Sequence, residues 1–195
     1  YQILNLNKKK ITSVGTIGVQ LKNKKNFSKN TTLDPIRLRQ VINYLVKKKI
    51  KNIILEASSH GLKQNRLDGL LFDIGIFTNL SHDHLDYHYN FENYLNAKLY
   101  LFRNLIKKKG IVITDPNIKQ FQNIKKIAHK KKLKLLTILN KGSDLELVSH
   151  QYENDHQILK IKEKNKKNII QLDLNLIGKI QIKNVLMAIL AANRS

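Results

Sequence analysis

The chain has 195 residues, with 36 Lys and Arg against 14 Asp and Glu, and its formal net charge is +22 at pH 7. A hydrophobic fraction of 42% is typical of one globular domain and excludes a disordered chain. No apolar run reaches the roughly 18 residues of a membrane-spanning helix. The absence of Cys excludes disulfides and thiolate metal sites. We expect a cytoplasmic protein, because the first residues also lack a secretory signal. We also expect a monomer.

The high positive charge first suggests a nucleic-acid partner. The basic residues, however, form short scattered runs, mostly where predicted helices end, at Lys8–Lys10, Lys47–Lys49, Lys107–Lys109 and Lys130–Lys132. Residues 56–92 are acidic instead, with six acids against two bases. We therefore expect a solvated basic surface and a biased composition, and no nucleic-acid partner.

Strands and helices are predicted to alternate along the first 140 residues. Residues 34–49 form the clearest helix, with Asp34 as its N-cap and Pro35 at its first position. Further helices are predicted at 91–107 and 117–131, and apolar strands at 52–58, 72–80, 110–115 and 133–139. Residues 10–18 predict a short strand that leads into a glycine turn. The pattern after about residue 145 indicates antiparallel strands and a last helix at 182–192. The fold class is therefore α/β: a doubly wound, mostly parallel sheet flanked by helices, with a small antiparallel section near the C-terminal end.

Polar side chains follow three of the predicted strands, at Glu56–His60, Thr78–His88 and Asp115. In a doubly wound sheet, ligands bind beyond the carboxyl ends of the strands. We expect the first two clusters to converge on one crevice, with the Glu56 carboxylate and a His84 ring nitrogen facing it.

Each cluster leaves two interpretations open from its residues alone. Glu56 either binds a hard cation such as Mg²⁺ or reaches water from its strand end. His82, His84 and His88 either hold Zn²⁺ or face solvent. Lys98 lies on the apolar stripe of the helix at 91–107, so it either extends its ammonium to the surface or is desolvated. A desolvated amine reacts with carbon dioxide to give a carbamate.

The segment "LEASSHGLKQNRLDGLLFDIGIFTNLSHDHLDYHYNFENYLNAKLYLF", residues 55–102, resembles the central ATPase domain of the Mur ligases. The family pattern is E-x-S-S-H-G-L-x-Q-x-R, then F-T-N-L-x-x-D-H-L-D-Y-H-G, then A-K-x-x-L-F. Upstream "GTIG" and "NTTLDP" and downstream "LIGKIQIKNVLMAI" extend the likeness over most of the chain. A match of this length and order is very specific.

This resemblance implies roles for individual residues. Glu56 and His84 would bind Mg²⁺ beside the γ-phosphate of ATP, and Lys98 would be carbamylated and bind a second Mg²⁺. Asn184 would contact the adenine. The substrate, a UDP-muramoyl-peptide, would be held by five residues: Thr31, Thr32, Ser58, Gln64 and Arg66.

The sequence also departs from the family pattern. His82 replaces a usual Arg, Tyr89 replaces the Gly after "DYH", and "NTTL" replaces N-T-T-P. No G-x-x-x-x-G-K-[ST] phosphate loop is present. We therefore expect residues 1–195 to be a partial central domain. The N-terminal UDP-binding domain, the phosphate loop and the C-terminal domain would lie outside it, and the fragment alone would be inactive.

The implied activity is an ATP-dependent ligase of peptidoglycan precursor synthesis. It would add meso-diaminopimelate or L-lysine, which the sequence does not distinguish, to UDP-N-acetylmuramoyl-L-alanyl-D-glutamate through an acyl phosphate. Two other functions stay open from the residues alone. "HDHLD" fits part of a metallo-β-lactamase-like H-x-H-x-D site, although Tyr87 stands where such a site has its next His. A basic nucleic-acid-binding module is the other, without a supporting motif.

Overall fold

The computed structural model describes residues 1–21, 24–26, 30–81, 83–153 and 155–195. The predicted site residue His82 lies outside this set. The chain forms two compact units, the first made of residues 1–71 and 81–105 and the second of residues 72–80 and 106–195. No helix in the described ranges has the length and apolarity needed to cross a membrane.

The first unit combines a four-stranded sheet with short helices. Its strands are β1 (Ile11–Gly15), β2 (Gly18–Leu21), β3 (Lys24–Asn26) and β4 (Asn52–Leu55). Its helices are α1 (Gln2–Leu6), α2 (Pro35–Lys47), α3 (Ser59–Lys63), α4 (Leu85–His88) and α5 (Phe91–Tyr100). The strand order is β3-β2-β1-β4, in which β1 pairs with β4 in parallel and with β2 as an antiparallel hairpin. Thr16 and Ile17 form the two-residue turn of that hairpin, between the paired Gly15 and Gly18.

Helix α2 confirms the sequence prediction at its start. The Asp34 side chain accepts a hydrogen bond from the Arg37 backbone N–H, and Pro35 occupies the first turn. Leu38 and Leu45 are buried on the inner face. A capped N-terminus and an apolar stripe therefore define this helix, as expected for a helix that packs on one side.

The second unit is built on a six-stranded sheet. Its strands are β5 (Phe72–Phe77), β6 (Ile106–Thr114), β7 (Lys134–Leu139), β8 (Leu145–Glu153), β9 (His156–Glu163) and β10 (Ile169–Leu174), and its helices are α6 (Phe121–Lys130) and α7 (Lys179–Ala192). Strands β5 to β8 pair in parallel, whereas β8, β9 and β10 pair antiparallel. The predicted α/β class, with a parallel sheet and an antiparallel C-terminal section, is confirmed.

The apolar core of the second unit lies between its strands and α7. Its buried residues are Ile113, Leu136, Ile138, Leu145, Leu159, Ile161, Ile182, Leu186, Met187 and Leu190. The apolar face of α7 thus covers side chains from the centre of the sheet. Burial of aliphatic side chains, at roughly 25 cal/mol per Å² of apolar surface, is the main stabilising contribution in this unit.

The helix predicted over 91–107 is shorter than expected. Helix α5 ends at Tyr100, a π-helical turn covers Leu101–Leu105, and β6 begins at Ile106. Phe72 pairs with Ile106 but Ile74 pairs with Ile111, so residues 107–110 form a bulge in β6. The Lys107–Lys109 run belongs to this bulge and not to a helix end. The prediction failed because a lysine-rich stretch after apolar residues suits both a helix end and a bulged strand.

Two further expectations require correction. The predicted helix at 117–131 begins only at Phe121, because the Asp115 carboxylate accepts hydrogen bonds from both the backbone and the side-chain N–H groups of Asn117 and closes a turn there. The strands that precede Glu56 and Thr78 were expected in one sheet. Their described hydrogen bonds divide them, with β4 in the four-stranded sheet and β5 in the six-stranded sheet.

Candidate functional site

Glu56 follows β4 and is anchored to the tip of the β1–β2 hairpin. The parallel register sets Val14 beside Leu55, and the Glu56 N–H donates to the Val14 carbonyl at 2.9 Å. Carboxylate Oε2 accepts the Thr16 backbone N–H at 2.8 Å and the Thr16 hydroxyl at 2.9 Å. A Cβ at Gly15 would lie 2.5 Å from this oxygen. The missing side chain at Gly15 therefore lets the carboxylate reach the turn.

Thr32 holds the loop after Glu56 from inside the first unit. Its side chain is buried, and its hydroxyl donates to the Glu56 carbonyl at 2.9 Å. The same oxygen accepts the Ser58 backbone N–H at 2.9 Å and lies 3.0 Å from the Ser58 hydroxyl. Ser58 also caps α3, since its hydroxyl oxygen accepts the Gly61 N–H at 3.1 Å. The hydroxyl oxygen of Thr31, another predicted substrate-binding residue, lies 3.1 Å from the hydroxyl oxygen of Thr16.

Gln64 and Arg66 complete the same hydrogen-bonded network. Arg66 donates from Nη1 to the Thr32 carbonyl at 2.7 Å and from Nε to the Gln64 side-chain oxygen at 2.8 Å. The Gln64 amide then donates to the Tyr87 hydroxyl at 2.8 Å. The structure therefore brings all five predicted substrate-binding residues and Glu56 into one network.

A cluster of aromatic rings surrounds His84. His84 precedes α4 in a left-handed conformation, with φ at 57°, and its backbone N–H donates to the Asp83 carboxylate at 2.8 Å. The His84 ring meets the rings of His60 and Tyr94 edge-on, at centroid distances of 5.0 and 5.9 Å. These contacts fix the plane in which the imidazole presents its nitrogens.

His88 forms the buried floor of this cluster. Only 2% of it is exposed; its ring stacks on Tyr94 at 5.1 Å, and Nε2 lies 3.0 Å from the Ser59 hydroxyl. Burial, followed by the neighbouring charges of His60 and His84, lowers the pKa of His88. Burial, followed by His84, also lowers the pKa of His60. Both rings are therefore held in their neutral form to a lower pH than a solvated histidine.

Lys98 extends over the same Tyr94 ring from one turn further along α5. Its Nζ lies 5.3 Å from the ring centroid, and the side chain is half-buried. Burial lowers the pKa of Lys98, while the nearby Asp83 carboxylate opposes that shift. Tyr94, only 3% exposed, thus contacts both His84 and Lys98. Desolvation of this amine is the environment that the carbamate interpretation requires.

The shared crevice of Glu56 and His84 stays a prediction. The expectation that both residues follow strands of one sheet is wrong, because β4 and β5 belong to different hydrogen-bonded sheets. Both residues nevertheless belong to the first unit. The Ser59–His88 and Gln64–Tyr87 hydrogen bonds connect the α3 region, which follows Glu56, to α4, which follows His84.

Asn184 and Asp115 lie in the second unit. Asn184 is exposed on α7 and lines a cavity of about 330 Å³ together with Thr78, Asn79 and Met187. Asp115 is fully buried, and its carboxylate forms an ion pair with Lys183 of α7 at 2.6 Å. The polar cluster after β6 therefore ties α7 to the sheet, whereas Asn184 lines an open cavity.

The zinc interpretation of the histidines includes His82, which lies outside the described residues, so it stays a prediction. Within the described ranges, no group of three or more His, Cys, Asp or Glu side chains could hold a metal ion. A carboxylate on a polar loop, such as Glu56, suits Mg²⁺, because Mg²⁺ is bound by one or two protein carboxylates with water and phosphate completing its shell.

Three residues of the site were not singled out from the sequence. Thr16 holds the Glu56 carboxylate, Tyr87 holds Gln64, and Tyr94 supports both His84 and Lys98. For Thr16 a signal was present, because two glycines flanking a two-residue turn favour a hairpin whose tip projects from the sheet. Nothing local in the sequence indicated that the tip meets Glu56.

Comparisons with known proteins agree with the resemblance. A family model described as the Mur ligase middle domain matches residues 1–192. The chain is 36% identical over 187 residues to the UDP-N-acetylmuramoyl-L-alanyl-D-glutamate--2,6-diaminopimelate ligase of Rickettsia montanensis, covering 94% of this chain and 38% of the relative. The corresponding ligase of Rickettsia bellii is 37% identical over 192 residues, covering 96% of this chain and 40% of the relative. The chain thus spans about two fifths of the length of these curated relatives.

A solved structure of a UDP-N-acetylmuramoyl-L-alanyl-D-glutamate--2,6-diaminopimelate ligase has a similar fold. Its TM-score is 0.86 at 26% identity, and the match covers 99% of this chain and 39% of that one. A MurF ligase from Thermotoga maritima in complex with ADP matches with a TM-score of 0.59 at 14% identity, over 74% of this chain and 33% of that one, which shows a likeness of fold alone.

Proposed function

Because the chain belongs to the Mur ligase middle domain family, we propose that it is the central part of an ATP-dependent ligase of peptidoglycan precursor synthesis. The proposed reaction joins 2,6-diaminopimelate to UDP-N-acetylmuramoyl-L-alanyl-D-glutamate in the cytoplasm. The γ-phosphoryl group of ATP passes to a carboxylate of the nucleotide-linked peptide and gives an acyl phosphate. The amine of diaminopimelate then attacks the acyl carbon, and phosphate leaves. The relatives' names favour diaminopimelate over L-lysine.

The observation that carries this proposal is the single network of residues that family resemblance assigns to the nucleotide-linked peptide. Thr31 and Ser58 present hydroxyl oxygens from two loops that Thr32 ties together. Arg66, held on the Thr32 carbonyl and on Gln64, supplies a guanidinium beside them. Thr32 itself is buried with its hydroxyl bonded inside the protein, so in this proposal it positions its neighbours. Such a rigid polar surface is what orientation of a flexible anionic substrate requires.

The first unit also offers the residues that would hold Mg²⁺. The Glu56 carboxylate is fixed by two hydrogen bonds to its Oε2, and the His84 ring is oriented by His60 and Tyr94. Mg²⁺, when bound, would neutralise charge on the phosphate groups. The chain's own contribution is to keep these donors in fixed positions, so that little reorganisation is needed when the substrates bind.

Lys98 is proposed to carry a carbamate in the working enzyme. The neutral amine attacks the carbon of carbon dioxide, the N–C bond forms as one C=O π bond opens onto its oxygen, and the proton released from nitrogen passes to water. Burial lowers the pKa of Lys98 and so raises the neutral fraction that this step needs. The product is an anionic oxygen donor beside the Tyr94 ring, suited to a second Mg²⁺.

The cavity lined by Asn184 is proposed to take the adenine of ATP. Its wall is apolar at Ile76, Ile180 and Met187, which suits a flat aromatic base. The side-chain amide of Asn184 offers both a donor and an acceptor to the edge of that base.

The experiment uses the protein at its full encoded length, with ATP, Mg²⁺, UDP-N-acetylmuramoyl-L-alanyl-D-glutamate and meso-diaminopimelate. Mass spectrometry should detect the UDP-linked tripeptide together with one ADP per product. L-Lysine in place of diaminopimelate tests the amino-acid assignment. UDP-N-acetylmuramoyl-L-alanine is the control acceptor, since it lacks the D-glutamate residue. Absence of a tripeptide with either amino acid, in a folded protein that binds ATP, would overturn the proposal.

A further inference from the structure

Thr16, at the tip of the β1–β2 hairpin, stands between two residues of the proposed site. Its hydroxyl lies 2.9 Å from the Glu56 carboxylate and 3.1 Å from the Thr31 hydroxyl. A hydroxyl has one proton to donate and two lone pairs to accept with. The direction of one of these bonds therefore decides the direction of the other.

Oε2 of Glu56 fixes that direction. This oxygen already accepts the Thr16 backbone N–H at 2.8 Å, so its lone pairs and not a proton face Thr16. The Thr16 hydroxyl must then donate to Oε2, which consumes its only proton. In the 3.1 Å contact with Thr31, Thr16 is left as the acceptor and Thr31 as the donor. The chain of bonds runs from Thr31 to Thr16 to Glu56.

The same reasoning applies to Ser58 on the neighbouring loop. The Thr32 hydroxyl donates its proton to the Glu56 carbonyl, which is only an acceptor. In the 3.0 Å contact between Thr32 and Ser58, the Ser58 hydroxyl must therefore donate. Ser58 also accepts the Gly61 N–H, so one lone pair is left for a ligand. Two independent hydroxyl pairs give the same polarity.

The opposite polarity occurs at Arg66 and Gln64. The Arg66 guanidinium has five N–H donors and no acceptor. Two of its nitrogens, Nη1 and Nε, point to protein oxygens. The Gln64 oxygen is occupied by Arg66, and its amide nitrogen, which donates to Tyr87, keeps a second N–H. Toward a ligand, this side of the network therefore offers donors.

We propose that the site has a built-in hydrogen-bond polarity, and that Thr16 is the positioning residue that imposes it on Thr31. Toward a ligand, Thr31 and Ser58 act as acceptors and take N–H or O–H groups, such as the amides and hydroxyls of a sugar-linked peptide. Carboxylate and phosphate oxygens are directed to Arg66 and Gln64. The identity of the ligand rests on the proposed function, whereas the polarity rests on the protein's own hydrogen bonds.

Neutron diffraction from deuterium-exchanged crystals of the full-length protein tests the polarity directly. The deuterium on the Thr31 hydroxyl should lie on the line to the Thr16 oxygen, and that of Thr16 on the line to Oε2 of Glu56. The deuterium of Ser58 should point to Thr32. A Thr31 deuterium directed away from Thr16, with Thr16 donating to Thr31, would overturn the proposal whatever the substrate is.

Calorimetric binding of UDP-N-acetylmuramoyl-L-alanyl-D-glutamate, without ATP or Mg²⁺, tests the positioning role. Thr16→Val should weaken binding roughly two- to tenfold, which corresponds to the net contribution of one hydrogen bond. Thr16→Ser should restore it, because the hydroxyl returns. Ser13→Ala is the matched control on the same hairpin: its hydroxyl bonds to the Gln20 side chain, so binding should not change.

A double-mutant cycle distinguishes a chain of bonds from independent contacts. Because Thr16 acts through Thr31, Thr16→Val should add little to the loss caused by Thr31→Val. Losses that multiply, or a Thr16→Val protein that binds like the wild type, would overturn the role of Thr16. If the wild-type protein does not bind this ligand, the proposed function is overturned. The hydrogen-bond polarity of the site is then decided by the neutron diffraction result alone.

Discussion

The two units are stabilised in different ways. In the second, strands of the six-stranded sheet and the 14-residue helix α7 bury a continuous aliphatic cluster. In the first, helices α3 and α4 have five and four residues, too few to be stable through their own backbone bonds. Side-chain hydrogen bonds from Thr32, Ser58 and Gln64 hold these short elements in place. The first unit also buries apolar side chains such as Leu38, Leu45 and Leu99. Its polar network holds the short helices and the candidate site, whereas the aliphatic cluster of the second unit serves stability.

The largest expected effect is on the core of the second unit. Leu186 is fully buried in the aliphatic cluster, so Leu186→Ala should lower the free energy of unfolding by about 2–5 kcal/mol. Ile169→Ala, at an exposed position of β10, should change it by no more than about 0.5 kcal/mol. Urea titration measures both. A loss below 1 kcal/mol for Leu186→Ala would contradict the assignment of stability to this cluster.

Lys98→Gln should have the opposite effect to Leu186→Ala: it should greatly lower the turnover rate and leave the free energy of unfolding unchanged. Glutamine retains part of the stem over Tyr94 but forms no carbamate, so a metal ligand is lost. The rate should fall on the order of 10²–10³, which equals about 3–4 kcal/mol in the barrier. Turnover of the full-length protein at saturating Mg²⁺ is the measurement, with added bicarbonate as the control that should not rescue it. Near-normal turnover would end the carbamate interpretation.

The free energy of unfolding should depend on pH because of buried His88 in the first unit. Burial, followed by the charges of His60, His84 and Lys63, lowers the pKa of His88 below its ordinary value of 6.5. The unfolded chain therefore binds more protons below pH 6.5, and the stabilisation, complete above that pH, is lost as pH falls toward the folded-state pKa.

One proton changes the free energy of unfolding by at most about 1.4 kcal/mol per pH unit. His88→Phe, which keeps the stacking on Tyr94 but has no titrating group, should give a shallower slope between pH 7.5 and 5.5 in metal-free buffer. If the free energy of unfolding changes equally with pH in the wild type and in His88→Phe, groups other than His88 cause the pH dependence.

The smallest effect is expected at Tyr89, where the family usually has Gly. Its φ is +66°, a conformation unfavourable for a residue with a side chain, and 87% of the residue is exposed. Tyr89→Gly should raise the free energy of unfolding by about 0.5–1 kcal/mol, since relief of strain exceeds the greater entropy of the unfolded chain. Tyr152→Gly, in β8, should lower it. Thermal unfolding compares the two, and a destabilised Tyr89→Gly would show that the tyrosine ring contributes to packing.

Much of this arrangement was predictable where the signal is local. The Asp34 cap and Pro35 defined α2, and strand–helix alternation predicted the parallel strands and the antiparallel section after residue 145. The site residues were identified through the resemblance to a family, carried by residues 55–102 and by the shorter upstream and downstream motifs, and not through their chemistry alone. Their environment was only partly predictable, since the position of Lys98 on an apolar stripe left both a surface ammonium and a desolvated amine open, and the structure half-buries this side chain, which lowers its pKa.

What the sequence did not reveal depends on long-range pairing. The bond between Thr16 and Glu56 joins residues 40 positions apart, and it exists only because the β1–β4 register places Gly15 beside the carboxylate. The division of the strands into two sheets also depends on long-range pairing. An apolar run predicts a buried strand, but it does not predict which strand lies next to it. The bulge after Ile106 could not be predicted from helical periodicity. Ile106 pairs with Phe72 of β5, and this long-range pairing ends the helical segment earlier than the periodicity predicts.

The edge of the six-stranded sheet determines how the protein should behave at high concentration. In the described part of the chain, β10 pairs only with β9, and Ile169 and Ile170 are 53% and 48% exposed. An open strand with apolar side chains is a template for pairing with another copy. The net charge of +22 opposes that encounter, but salt screens the repulsion, with a Debye length of about 10 Å at 0.1 M. Light scattering should therefore show colloidal attraction rising with ionic strength, and dilute buffers should keep the protein dispersed better than concentrated ones.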